Sequence, residues 1–181
     1  NNQEKSREKT WTRPFGRDTM KKKEIERVLF MKLVQDCLTH YYCDCGYNCA
    51  ETIFCAACEA WELKQMPETL RLMGGFGGGM GTGNVCGAVT GAVAALSYRY
   101  VEGSGHTSPL LMAKVRLLMR TVRERLGDER CLSMKPKYHT PQERCLPTIR
   151  LVAELLDEVE KVKIDQPAYQ ERPAVKAASV K

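Results

Sequence analysis

The sequence predicts an all-α protein, an irregular bundle of five or six helices with a glycine-rich loop. Three observations predict it. Apolar residues recur at spacings of three and four along several segments. No segment alternates apolar and polar residues with the period of two that a half-buried strand requires. Capping and breaking residues punctuate the chain where those apolar stripes begin and end.

The elements follow in order. Ile25, Leu29, Leu33 and Cys37, with Val28 and Leu38 beside them, predict a first helix from about Lys22 to Tyr42. Cys43-Asp44-Cys45-Gly46-Tyr47 is a break centred on Gly46. Asn48 then caps a second helix, with Glu51 three residues on as its capping-box partner and Cys49 as the first helical residue. That helix carries Ile53, Ala57 and Trp61. Pro67 opens a short helix over 67–73, because proline at the first position gives up only a donor that had no partner.

Gly74 to Gly83 reads Gly-Gly-Phe-Gly-Gly-Gly-Met-Gly-Thr-Gly. Each glycine costs about 1 kcal/mol in a helix relative to alanine, so this stretch is a loop that lets backbone approach something closely. A helix over about 85–101 follows, with Gly87, Gly91 and Ala95 forming a flat strip against which either the internal core or a second copy can pack. Ser108 and Pro109 open the next helix, which carries Leu110, Leu117, Leu118 and Val122 and stops at Gly127. Residues 128–140, with Cys131, Pro136 and His139, read as a loop. Thr140-Pro141-Gln142-Glu143 is a second capping-box signature. The last helix carries Cys145, Ile149, Val152, Leu156 and Val159, with Pro147 either in its first turn or at a kink.

The 181 residues fit one domain with tails. Residues 1–20 read as a disordered basic extension, 21–162 as the helical cysteine-rich domain, and 163–181 as a disordered tail. Net charge follows these boundaries. The chain carries +6 overall, but residues 1–23 hold eight Lys/Arg against three Asp/Glu, and residues 24–162 hold 16 against 17. Basic charge confined to tails argues against a nucleic-acid-binding face. No run of 18 apolar residues spans a membrane, and no apolar export segment opens the sequence, so the expected setting is the cytoplasm.

Nine cysteines are the most telling part of the composition. An odd count forbids complete pairing, and reducing cytosol disfavours stable disulfides. The cysteines then serve metal ligation, thiol chemistry or apolar packing. Cys49 and Cys86 fall at helix starts, Cys131 just beyond a helix end, and Cys145 near another helix start. A helix N-terminus favours the thiolate, which is the form that binds metal and attacks disulfides. Their spacing matches no contiguous zinc-finger or ferredoxin run, and spacing alone leaves open whether they meet.

Cys86-Gly87-Ala88-Val89-Thr90-Gly91, behind the glycine loop, resembles the motif of the C-GCAxxG-C-C family of redox-active proteins. Carried over by position, the hallmark cysteines of that family are Cys49, in Gly46-Tyr47-Asn48-Cys49-Ala50-Glu51, then Cys86, Cys131 and Cys145. The resemblance spans about Lys23 to Val162 and extends to a cysteine domain of split-Soret cytochrome c. It implies an iron–sulfur cluster on these four residues, a 2Fe–2S centre first. It further implies that glycine-loop amides, with Gly77, Gly78, Gly79 and Gly87 as the cofactor-binding positions, tune the cluster. Covalent haem is not expected, because no Cys-x-x-Cys-His occurs.

The expected activity is electron transfer or redox sensing with a separate redox partner protein. A cluster-free thiol–disulfide oxidoreductase and a structural zinc module are the alternatives. Cys43 and Cys45 read as an alternative ligand, a resolving thiol or spare loop thiols. Cys55-Ala56-Ala57-Cys58 lies inside a helix and follows no strand, unlike a thioredoxin motif. Cys37 reads as packing, and His139 as a loop residue, a ligand or a hydrogen-bond donor to the cluster. His40 and His106 show no constellation. The glycine loop lacks the Gly-Lys-Ser/Thr of a phosphate loop, and Trp61 and Phe76 read as packing.

Overall fold

Asn48 sets the register of the helix around which the rest is arranged. Its side chain accepts the Ala50 and Glu51 amides, and Glu51 in turn accepts the Asn48 amide, the reciprocal box expected from the sequence. In the computed structural model, which describes residues 32–165, this helix is Cys49–Ala60 (α1). The others are Pro67–Met73 (α2), Gly87–Tyr100 (α3), Pro109–Leu126 (α4), Cys131–Tyr138 (α5) and Leu146–Lys161 (α6). No strand occurs among the described residues; two isolated bridges, Val85 with Arg130 and Thr140 with Arg144, are the extended pairings there. The fold is all-α, an irregular bundle, as predicted. None of these helices is long and apolar enough to cross a membrane.

The α1–α3 pair is the most extensive helix contact, and glycine makes it so. A Cβ on Gly91 would lie 2.5 Å from the Ala50 carbonyl oxygen, and one on Gly87 would lie 2.9 Å from the Phe76 carbonyl oxygen. The small-residue strip of α3 therefore faces the internal core. Phe54, Ile53, Leu96, Leu118, Ile149 and Leu156 fill that core with under 2% exposure, each contributing about 1.5–3 kcal/mol by burial. α6 packs against α1, α3 and α4. Lys114 from α4 reaches its end and donates to the carbonyls of Val159, Glu160 and Val162, satisfying acceptors that a helix C-terminus leaves open.

Several expectations are corrected. The described part of the expected first helix is not one helix. Leu33 is extended, Val34–Asp36 form a 3-10 turn, and His40–Asp44 form a π turn. Val34, Cys37, Leu38 and Tyr42 still bury one face of it, and the Asp157 carboxylate of α6 accepts the Val34 and Gln35 amides at 3.0 and 3.3 Å. Residues 22–31 of that expected helix, the basic extension over 1–20 and the tail from 166 onward lie outside the described residues.

Ser108 does not cap α4 with its side chain; its hydroxyl donates to Ser104 O and accepts the Glu102 amide instead. The buried stripe of α4 is Leu111, Lys114, Leu118, Val122 and Leu126, so Leu110 and Leu117 flank it. Thr140 Oγ1 does accept the Glu143 amide, but Arg144 has a positive φ and α6 begins at Leu146. Pro147 sits in the first turn, with no kink required. The largest correction is 128–140: Cys131–Tyr138 is a helix, with Pro136 in its last turn.

The glycine stretch is compact. Gly74–Phe76 continue α2 as a 3-10 turn, and Gly79–Gly83 form a π turn with left-handed residues inside it. Gly78, Gly79, Gly81 and Gly83 all have positive φ, which glycine adopts without the strain a Cβ brings.

A cavity where four helices begin

Helix α5 changes the meaning of Cys131. It is the first residue of α5, as Cys49 is of α1, while Cys86 and Cys145 are the N-cap residues of α3 and α6. All four hallmark cysteines thus stand at helix N-termini. They line one cavity of about 60 Å³, together with Gly78, Met134, Lys135 and Thr148. A single water takes about 30 Å³ of liquid, so the space admits a group larger than one water.

Backbone bonds fix the four positions. The Cys86 amide donates to Glu129 O at 2.8 Å, and the Cys131 amide donates to Asn84 O at 2.7 Å. These reciprocal bonds clamp the segment before α3 to the segment before α5, which brings two distant cysteines to the same cavity. Gly79 makes the clamp possible, since a Cβ there would lie 2.5 Å from Asn84 O and 2.9 Å from Cys131 Cβ. Cys145 is held by its amide, which donates to the buried Tyr42 hydroxyl at 3.1 Å. The Arg144 guanidinium lies 4.9 Å from the centre of that tyrosine ring. Cys49 is held by the Asn48 capping box, whose Nδ2 also donates to Gly74 O.

The glycines expected to bind a cofactor have distinct places. Gly78 lines the cavity. Gly77 lies against Asn48, Gly79 against Asn84 and Cys131, and Gly87 against Phe76 O and Cys49 Cβ. The last three serve close approach of backbone around the site. The Ala88 and Val89 amides, in the first turn of α3, favour the Cys86 thiolate.

The thiols differ in ionisation. Burial pushes Cys86 up to about 11, although those two amides pull it down. Burial, with the negative charge of Cys145, raises Cys131. Cys145 is lowered, first because Cys49 donates a hydrogen bond to it, then by the positive charges of His139, Lys135 and Arg144 against the cost of burial. Cys49, as the donor, is raised. Of the four thiols Cys145 alone is lowered, and Cys49 with nearby positive charge lowers it; burial and neighbouring sulfur raise the other three.

His139 caps α5 and lines an open groove of about 510 Å³ with Gly78, Gly83, Cys131, Leu132, Lys135 and Pro136. Cys43 and Cys45 are exposed and do not line the four-cysteine cavity. Cys37, Cys55 and Cys58 are buried, and burial raises them to about 11, 12 and 11, so the Cys-x-x-Cys inside α1 is core. No three or more His, Cys, Asp or Glu among the described residues are arranged to hold a single metal ion. Sequence reasoning missed Met134, Lys135 and Thr148; the first two lie one turn after Cys131, a signal that becomes readable only once 131–138 is a helix. It missed Tyr42 as the anchor of Cys145 as well.

The family described as "Putative redox-active protein (C_GCAxxG_C_C)" matches residues 47–159, more than half of the chain. The chain belongs to this family. The match leaves out residues 23–46 and 160–162, which the resemblance read from sequence includes. No curated protein and no solved structure matches the chain. Membership in this family accords with a cavity lined by four thiols.

Proposed function

We propose that the chain is an electron-transfer or redox-sensing protein whose Cys49, Cys86, Cys131 and Cys145 hold an iron–sulfur cluster. One observation carries the reading: these four thiols, from four helix starts, line one cavity of about 60 Å³. An all-sulfur donor set is what iron–sulfur clusters use. The ionisation of the site fits as well. Three of the thiols resist deprotonation because burial and neighbouring sulfur disfavour their charge, and coordinated cations would relieve that cost. When bound, the cluster would supply reversible one-electron chemistry, with a 2Fe–2S centre as the first choice. The chain's own groups supply the rest. The Ala88 and Val89 amides favour the Cys86 thiolate, an influence of the kind that tunes potential. Met134, which is 1% exposed, gives the cavity an apolar wall.

A second reading rests on Cys49 and Cys145 lining the same cavity, where Cys145 is lowered and Cys49 raised by their proximity. A low thiol beside a partner thiol is the arrangement of a thiol–disulfide oxidoreductase, with Cys145 attacking and Cys49 resolving. A structural zinc site ranks below both, because its ligands usually come in close sequence pairs.

One experiment separates the readings. The chain is supplied with iron and sulfide under anaerobic conditions, desalted, and assayed for colour and metal. The cluster reading predicts brown protein with charge-transfer absorption and equimolar iron and sulfide. Colourless, iron-free protein that forms a Cys49–Cys145 disulfide with an added low-mass disulfide would favour the second reading instead.

A further inference from the structure

Away from that cavity, the π turn His40–Asp44 assembles a second sulfur site. A π turn joins residues five apart, and here the Cys45 amide donates to His40 O at 3.1 Å. The two side chains meet as a result: His40 Nε2 lies 3.5 Å from Cys45 Sγ. On the other side of the ring, His40 Nδ1 lies 3.0 Å from Asp44 Oδ2. With Nδ1–H donating to Asp44, Nε2 is left to accept the thiol proton. Nucleophile, base and orienting carboxylate thus stand in the order that activates a thiol. His40 therefore has a constellation after all, one the sequence hides because a spacing of five belongs to no regular helix.

The turn is held firmly. Tyr42 is buried and its hydroxyl accepts the Cys145 amide. The Tyr41 hydroxyl donates to Glu59 Oε2 of α1 at 3.2 Å, and its ring stacks on Tyr47 with centroids 6.2 Å apart. Cys45 itself is exposed.

We infer that Cys45, His40 and Asp44 form a nucleophilic thiol site whose substrate is a low-mass disulfide. Attack on a disulfide sulfur develops no oxyanion, so a thiol, a base and an open approach suffice. As Cys45 Sγ attacks, its proton passes to His40 Nε2. A new sulfur–sulfur bond joins Cys45 to one half of the substrate while the substrate's own bond breaks. The other half leaves with the bond's electron pair and takes the proton from His40. Cys45 is oxidised to a mixed disulfide, one half of the substrate is reduced to a thiol, and excess low-mass thiol reverses the step. This site is independent of the four-cysteine reading.

Cys43, exposed and two residues away, is a built-in control. The full chain is incubated with oxidised glutathione at neutral pH, quenched in acid and mapped by fragment-ion mass spectrometry. Cys45 should form its mixed disulfide about tenfold or more faster than Cys43, a modest demand against the roughly 10²–10⁴-fold that general-base assistance supplies. In a Cys43→Ser background, His40→Asn should bring Cys45 down to the rate that Cys43 shows in a Cys45→Ser chain. Equal rates at Cys43 and Cys45 in the parent chain would overturn the inference, and that comparison needs no substitution. An unchanged Cys45 rate after His40→Asn, in a chain whose buried Cys37, Cys55 and Cys58 stay unmodified, would overturn it as well.

Discussion

Gly91 shows how much of the site depends on a single absent Cβ. An added methyl would stand 2.5 Å from Ala50 O and 2.8 Å from Ala50 Cα. Neither belongs to a flexible side chain, so α1 and α3 must separate. Overpacking of this kind costs about 1–3 kcal/mol, and Gly91→Ala should lower the urea midpoint accordingly. Gly75→Ala is the matching control: nothing lies within 4 Å of a Cβ there and its φ is ordinary, so its midpoint should hold or rise slightly. Equal losses at both positions would contradict this account of the α1–α3 contact. The glycine pattern in the motif was visible in the sequence, and so was its meaning as close approach. What lay beyond sequence was the partner: Gly79 faces Asn84 and Cys131, which no spacing rule connects.

At the scale of elements, Asn48, Pro67 and Gly127 announced their helix boundaries because a cap, a ring-locked φ and a left-handed residue act locally. The same logic failed where a tertiary bond decided. Pro136 made 131–138 look broken, yet proline disrupts a bond to the residue four before it and is tolerated in the last turn of a helix only eight residues long. The Val85–Arg130 bridge, rather than any cap, starts that helix. Asp157 likewise acts across elements, since it joins α6 to the 3-10 turn at Val34–Asp36 by accepting two amides. Burial raises its carboxyl above the ordinary range, while those amides pull the other way. A raised carboxyl binds its proton more tightly in the folded chain than in the unfolded one. Asp157 therefore favours folding at acid pH and loses that contribution as pH rises through and just above the ordinary value, about 3.9. Unfolding free energies of the parent and Asp157→Asn, measured from pH 3 upward, should show the parent's relative stability falling with rising pH. A relative stability that rises instead would mean the two amides outweigh burial.

For the whole molecule, the bundle's achievement is to gather four helix N-termini around one cavity. The order of the four cysteines along the chain was legible, and it carried the family resemblance. Their meeting was not, because it depends on the 84–86 and 129–131 clamp and on Tyr42 holding Cys145. The other five thiols are set apart by the same architecture: Cys37, Cys55 and Cys58 are packed in the core, and Cys43 and Cys45 are exposed. That division permits a direct measurement. Chain loaded anaerobically with iron and sulfide is alkylated beside untreated chain, and each of the nine cysteines is quantified. Loading should protect Cys49, Cys86, Cys131 and Cys145 together, with Cys43 and Cys45 labelled as fast as before. Protection at Cys43 or Cys45, or labelling of the four that loading leaves unchanged, would contradict the claim that these four thiols hold one cluster.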